Sequence, residues 1–371
     1  MGFRKGALEG LEVTQNFWRG KRVFITGHTG FKGSWLCAWL LRLGADVSGY
    51  ALPPATFPSL FEALKLRGAM KSVEADIADL ATLAAAVRSA RPDIVFHLAA
   101  QALVYEGYRH PLDTYRTNAL GTAHLLEVIR ACPEARAAVI VTSDKCYDLG
   151  ANRERYAEED ALGGRDPYSS SKACAEVITA AYGASFFLQR TNGHAQAVIA
   201  SARAGNVLGG GDWSPHRLVP DAIAAFQKGL ALCVRSPKSI RPWQYVLDPL
   251  RGYLLLAQHL AEGGAEYAKA WNFGPPESHE ISVETLVDML VETWGKTARW
   301  EFIPALLGFH ESAALRLDSK RAGKLLDWAP RLDVGEAIKQ TAGWYREYAA
   351  GGKAGALVDR SLYDYECAGV T

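Results

Sequence analysis

Seven positions, Gly27-His28-Thr29-Gly30-Phe31-Lys32-Gly33, follow one apolar run and open another, and this placement narrows the fold more than any other stretch of the 371-residue chain. The run before it, RVFITG (22–27), reads as a buried strand; SWLCAWLLRLG (34–44) reads as a helix that stops near Gly44. Glycines at a strand-to-helix turn allow a tight bend, close approach of backbone to a pyrophosphate, and close packing of helix on strand. The helix N-terminus then faces the phosphates. The turn is therefore expected to hold a dinucleotide through Gly27, Thr29, Gly30, Phe31, Lys32 and Gly33; a purely structural βα turn is the alternative.

The same alternation continues. DVSGYAL (46–52), KSVEADI (71–77), DIVFHLAA (93–100) and AAVIVTS (137–143) read as strands, with helices over 80–90 and around 117–132. Val- and Ile-rich strands without alternation, separated by helices, predict a parallel sheet covered on both faces. The fold class is thus α/β, a Rossmann-type doubly wound sheet whose ligands sit at the carboxyl ends of its strands. Beyond residue 200 the pattern is less regular, and a smaller mixed α/β substrate-binding lobe is expected. The expected boundaries are 18–200 for the dinucleotide domain, with 245–275 returning to it, and 201–244 plus 276–350 for the lobe. Residues 1–17 and 351–371 are taken as terminal extensions.

Composition removes several function classes. Lys plus Arg number 41 against 40 Asp plus Glu, so the chain lacks the basic footprint of a nucleic-acid binder. The six cysteines form no C-x-x-C pair, which predicts reduced thiols, no zinc site and a cytoplasmic location. No secretory h-region and no run of 18 or more apolar residues occur, so no membrane partner is expected. No metal site is read. The second strand ends Gly49-Tyr50-Ala51-Leu52-Pro53-Pro54, without the acid that usually holds ribose hydroxyls and without an Arg for a 2′-phosphate. The residues alone leave NAD against NADP open. Asp76 and Ile77, after the third strand, are expected at the adenine.

Tyr168 and Lys172 stand at i, i+4, one helical turn apart. A nearby ammonium favours the phenolate and is expected to draw the Tyr168 pKa below its usual value of about 10, making it a base. Ser143, at the end of strand 137–143, completes a Ser–Tyr–Lys set suited to hydride transfer at a carbinol.

With these residues in place the chain resembles the extended short-chain dehydrogenase/reductases, the epimerase/dehydratase group that uses NAD. Within them it is most similar to the CDP-glucose branch of the sugar-nucleotide 4,6-dehydratases. The resembling stretches run from about residue 18 to 345 and include GHTGFKGSWL (27–36), TSDKCYD (142–148), DPYSSSKACAE (166–176), RAGNVLGGGDW (203–213), SIRPWQYVLDPLRGYL (239–254) and HESAALRLDSKRA (310–322). GGGDW and RPWQYVLDPL carry far more specificity than the Gly-rich turn. The resemblance implies NAD as cofactor, a CDP-hexose substrate and a homodimer paired through helices 117–132 and 168–182. It implies cofactor contacts from Leu98, Ala99, Ala100, Gln101, Asn118, Tyr168 and Lys172, and substrate contacts from Gln101, Asn206, Arg217, Leu218 and Arg241. Sugar-nucleotide 4,6-dehydratases generally place Thr-Asp-Glu where this chain has Ser143-Asp144-Lys145, the form of the CDP-glucose branch. Asp144 would then protonate the departing C6 hydroxyl, and Lys145 would take the C5 proton or stabilise the enolate. Tyr105 and Gly107 depart from the family's basic residue and Ser, which leaves another nucleotide hexose open. A 4-epimerase and a catalytically silent nucleotide-binding module are the alternatives; Asp144-Lys145 and the intact Tyr168-Lys172 pair weigh against them.

Overall fold

The computed structural model describes residues 13, 15–151, 153–187, 197–295, 297–304 and 315–368. Most of the stretch 1–17, the segment 305–314 with the start of HESAALRLDSKRA, and residues 369–371 lie outside the described residues.

Seven parallel strands form the central sheet: β1 (Arg22–Thr26), β2 (Asp46–Ala51), β3 (Lys71–Glu74), β4 (Ile94–His97), β5 (Ala137–Val141), β6 (Val198–Ala204) and β7 (Ala270–Phe273). Their order is β7-β6-β5-β4-β1-β2-β3, with Val23 of β1 opposite Val47 of β2 and Ile94 of β4. β4 and β5 are buried along their whole length, as continuous apolar runs require when both faces are covered. β3 is the edge, carries Lys71 and Glu74, and is mostly exposed. It is shorter than the 71–77 run, because Asp76 turns its carboxylate onto the Ala78 amide at 2.9 Å and ends the ladder.

One face is covered by α1 (Phe31–Arg42), α6 (Leu247–Gly263), α8 (Val334–Ala349) and α9 (Ala354–Cys367), the other by α2 (Leu80–Ala90), α3 (Gly121–Arg130) and α4 (Pro167–Tyr182). Between them α5 (Leu218–Gln227) and α7 (Val283–Trp294) lie with three short strand pairs: 207–208 with 244–245, 232–234 with 300–302, and 240–242 with 280–282. Trp35 and Trp39, on one stripe of α1, are core residues, as their spacing predicts. Asp166 caps α4 by accepting from the Ser169 amide at 3.0 Å, and Pro167 occupies its first turn.

The stretch read as a C-terminal extension holds the whole of α9, which buries Leu357, Val358, Leu362 and Tyr365. The Tyr365 hydroxyl donates to Asp248 Oδ1 at 2.7 Å, and Trp39 Nε1 donates to Glu366 at 3.1 Å. Burial pushes the Asp248 carboxyl up to about 7. Helix 117–132 begins differently from its sequence pattern. Residues Arg116–Leu120 form a π-helical turn before α3, a widening that often marks a functional position.

Candidate active site

The Gly-rich turn leaves the end of β1 and enters α1. Gly27 has φ +78°, and a Cβ there would sit 2.6 Å from the Ala99 amide nitrogen. A Cβ on Gly33 would overlap the Gly27 carbonyl oxygen. Gly30 caps α1 with no side chain, so the first amides of the helix are left to a ligand. The cradle therefore fits a pyrophosphate. Gly33→Ala should cost about 1–3 kcal/mol of stability through overpacking and weaken nucleotide retention; a melting curve and a cofactor titration check both.

Around the turn, the Thr29 hydroxyl donates to the Leu52 carbonyl at 2.8 Å, and Phe31 approaches Gly209. The amides of Leu98 and Ala99 bond to Thr26, which places the loop from Leu98 through Ala100 against the cradle. Asp76 lies 3.4 Å from Arg116, and Ile77 is buried against Gly121. His28 fills the space left by Gly49, 2.7 Å from the Ser72 hydroxyl, and burial lowers its pKa to about 4. His97 is a bonded core histidine between Thr26 and Thr122. Both histidines serve packing.

β5 stops at Val141, so Thr142 and Ser143 emerge at the carboxyl edge of the sheet, and Asp144–Cys146 form a short 3-10 turn capped by Ser143. The Ser143 hydroxyl donates to Asp144 Oδ1 at 3.0 Å and accepts from the Lys145 amide at 3.2 Å. Burial raises the Asp144 pKa against the pull of Lys145, the Ser143 hydrogen bond, Lys32 and Arg241. Lys145 is half-buried beside it.

Tyr168 and Lys172 both stand on α4, and both are buried. The expected direction of the phenol shift is reversed. Burial raises the Tyr168 pKa; its hydrogen bond with Ser143 and the charge of Arg217 oppose this, and Asp144 adds to it. Lys172 Nζ points at the Val141 carbonyl, 3.5 Å away, and burial lowers its pKa to about 8. Lys32 is likewise lowered to about 8, by burial and then by Arg217, with Asp144 opposing; its ammonium sits 5.9 Å over the Tyr253 ring. Lys32 on the Gly-rich turn thus feels the charge of Asp144.

Asn118 Oδ1 accepts from the Gln101 amide at 2.9 Å, and its Nδ2 donates to Ser171 Oγ at 2.8 Å, so it clamps the 98–103 loop to α4 next to Lys172. The Gln101 side chain closes its own loop, donating to Thr114 Oγ1 at 3.0 Å and accepting from the Leu103 amide at 2.6 Å. Arg217 precedes Leu218 at the start of α5, 3.9 Å from Asp212, whose amide donates to Tyr345 Oη at 2.8 Å. Asn206 holds the Gln244 amide through its carbonyl at 3.3 Å. Arg241, on the 240–242 strand, lies within reach of the Asp144 charge. Gly107 faces Tyr168: a Cβ there would lie 3.2 Å from the Tyr168 amide nitrogen. Tyr105 packs against His216 with ring centroids 4.7 Å apart and the rings tilted by 41°. Cys146 is buried, whereas Cys174 is exposed, because it falls on the outer face of α4. Glu176, Arg203 and Thr142, beneath the site, escaped the sequence reading; the i, i+4 spacing of Glu176 from Lys172 was the available signal.

The model of the GDP-mannose 4,6-dehydratase family matches residues 24–341. CDP-glucose 4,6-dehydratase of Salmonella typhimurium is 44% identical over 95% of this chain and 98% of that protein. A probable dTDP-glucose 4,6-dehydratase of Sinorhizobium fredii is 26% identical, covering 88% and 93%. Among solved structures, dTDP-glucose 4,6-dehydratase of Streptomyces venezuelae with NAD bound superposes with a TM-score of 0.73 at 23% identity, over 90% of this chain and 99% of that one. UDP-glucose 4-epimerase of Brucella ovis with NAD gives 0.73 at 24%, over 87% and 98%. These two share the fold, while the family model spans the Gly-rich turn, the Ser143–Lys145 segment and the Tyr168–Lys172 helix together. On that match the chain belongs to the GDP-mannose 4,6-dehydratase family.

Proposed function

We propose that this protein is a hydro-lyase that converts CDP-glucose to CDP-4-keto-6-deoxyglucose and water. The observation that carries the reading is a buried acid, Asp144, whose pKa is raised beside a Ser143–Tyr168–Lys172 set. An oxidoreductase or epimerase acting only at C4 has no use for a buried carboxyl of raised pKa next to its tyrosine. The 44% identity to the Salmonella enzyme supports the nucleotide and the sugar.

NAD, held by Gly27, Gly30 and Gly33 and by the amides of α1, supplies the hydride acceptor at C4 and the hydride donor at C6. Tyr168 takes the proton of the C4 hydroxyl as hydride leaves C4, and the Lys172 ammonium and Ser143 hydroxyl steady the charge on its oxygen. The resulting 4-ketone acidifies C5–H. Lys145 receives that proton, the ammonium so formed stabilises the enolate, and Asp144 protonates the C6 hydroxyl, which departs as water. With the hydride that bound NAD would supply at C6, Lys145 gives its proton back to C5, and the proton first taken by Tyr168 makes good the one lost from Asp144. Arg217 and Arg241 suit the diphosphate, because a guanidinium fork matches phosphate oxygens.

The finer attributes follow from the same residues. Exposed apolar side chains, Leu112, Leu120, Val177 and Phe186, are spread over the 111–120 segment, α4 and the turn after it and support a homodimer paired through α3 and α4. Among the described residues no helix is long and apolar enough to cross a membrane, and the cysteines are free thiols, which suits a reducing cytoplasm. The dinucleotide part is assigned to 18–200 with 245–275, and the nucleotide-sugar lobe to 201–244 with 276–350. A second reading, another nucleotide hexose, is favoured by Tyr105, which lies on His216 next to Arg217 near the sugar pocket.

Incubation with CDP-glucose and NAD tests the proposal. A 4-keto-6-deoxy product that absorbs strongly in alkali is expected. Turnover of a different nucleotide hexose alone removes the substrate assignment and keeps the reaction. A C4-inverted sugar that retains its C6 hydroxyl removes the reaction.

A further inference from the structure

Beneath the site lies a charge pair that the chemistry above does not touch. Glu176 and Arg203 are each 3% exposed, and Arg203 Nη2 meets Glu176 Oε2 at 2.8 Å. Glu176 also accepts from the Ser201 hydroxyl at 2.6 Å and from the Thr142 hydroxyl. Arg203 Nη1 donates to Tyr147 Oη at 2.7 Å and to the Glu158 carbonyl at 3.1 Å, and the Tyr147 hydroxyl donates onward to Asn272 Oδ1 at 2.7 Å. Three parts of the catalytic set are tied to this one pair. Thr142 directly precedes Ser143, Tyr147 follows Lys145 by two residues, and Glu176 lies one helical turn beyond Lys172.

A buried ion pair is a poor stabiliser, since desolvating two charges offsets most of their attraction, and apolar replacements are often neutral. Placement is a better account of it. We propose that Glu176 and Arg203 are positioning residues: Glu176 holds the Lys172 ammonium, Arg203 restrains that pull, and together they anchor both ends of the Ser143–Lys145 turn for the first hydride transfer. The inference rests on the proposed dehydratase reading for its role in catalysis, but not for its charge arrangement.

The groups facing Lys172 define the sign. From α4 come Tyr168 and Glu176; from β4, His97; from the catalytic turn, Cys146; from α1, Lys32; and from β5, the Val141 carbonyl. Burial keeps His97 neutral, at about 3, and pushes the Cys146 thiol far up. Lys32 repels Lys172. Glu176 is therefore the carboxylate that keeps Lys172 charged, and Arg203 stands behind it with the opposite sign.

The test is an NMR titration of protein carrying 13C-labelled lysine, with the Lys172 signal assigned by its loss in Lys172→Arg. Glu176→Gln should lower the Lys172 midpoint by about one pH unit, a tenfold change in its proton affinity. Arg203→Met, which leaves Glu176 unopposed, should raise it. The double variant Glu176→Gln/Arg203→Met contains neither charge, is expected to fold even where Arg203→Met does not, and should lower the midpoint by less than Glu176→Gln. An unchanged midpoint in folded Glu176→Gln, or an unchanged or raised one in the double variant, overturns the proposal. In turnover assays Glu176→Gln should lower kcat with little change in KM and move the high-pH limb downward; equal loss of kcat at every pH would mark a structural role and also overturn it. Failure of the unaltered protein to turn over any nucleotide hexose removes the dehydratase reading and leaves the titration readable.

Discussion

Tyr168→Phe is expected to lower kcat by about 10²–10⁴-fold, the range a positioned acid–base group contributes, and to stop the reaction before any reduced nicotinamide forms. Stopped-flow absorbance in the near ultraviolet distinguishes this block from a later one: Tyr168→Phe should show no transient, whereas loss of an elimination residue should show one that persists. The melting temperature should move little, since the hydroxyl is bonded to Ser143, which retains other partners. Proton placement makes the effect large. Burial favours the neutral phenol, and it favours the neutral amine of Lys172, whose pKa falls to about 8. Burial therefore works against the competent pair, phenolate with ammonium, and the Ser143 hydroxyl beside the phenol opposes that loss. The rate should therefore fall as pH rises above about 8, where Lys172 loses its charge. A rate that keeps rising beyond that point would exclude Lys172 as the stabilising cation.

Asp144→Asn has the second large effect, and it falls on a different step. Oxidation at C4 should survive, while elimination slows by a similar 10²–10⁴-fold. Reduced nicotinamide and a 4-keto hexose that still carries its C6 hydroxyl should then accumulate, visible by absorbance and by mass spectrometry of the quenched sugar. Product formed at the unaltered rate would remove Asp144 from the chemistry. Stability should respond in the opposite sense. The folded-state pKa of Asp144 is raised above its unfolded value, so whatever this group contributes is fully present below the unfolded pKa and is lost as pH rises through the folded one. The ionised form is the strained one, and wherever it is populated the isosteric amide, which carries no charge to desolvate, should melt higher than the unaltered protein. Activity and stability are set against each other at this side chain.

How far the sequence could be read depended on whether a property is local. Val23, Val95 and Val139 sit in runs apolar on both faces, and a parallel, doubly covered sheet is the arrangement that satisfies such runs. The Gly27–Gly33 turn is equally local. The i, i+4 spacing of Tyr168 and Lys172 puts them on one face but says nothing of burial, and burial reverses the expected shift of the phenol. The Gln101 side chain was expected on the cofactor or sugar; its hydrogen bonds to Thr114 and Leu103 depend on a loop path that spacing does not encode. Glu176 and Arg203 lie 27 positions apart on different elements, and only the register of α4 against β6 brings them together. α9 was taken for an extension because its apolar residues are interleaved with Asp359, Arg360, Asp364 and Glu366 in a stretch of modest hydrophobicity.

That last helix bears on how the chain comes to be folded at all. α9 meets α1 across 327 positions, through Trp39 and Glu366, and meets α6 across 117, through Tyr365 and Asp248. Loop closure over such spans is entropically slow, and parallel sheets already delay folding. During synthesis the first βα unit must wait, with Trp39 uncovered, until residue 366 has been made, and an exposed apolar helix in that interval invites chaperone capture or aggregation. The yield of active protein in a cell should therefore depend on translation speed and chaperone supply more than its final stability would suggest.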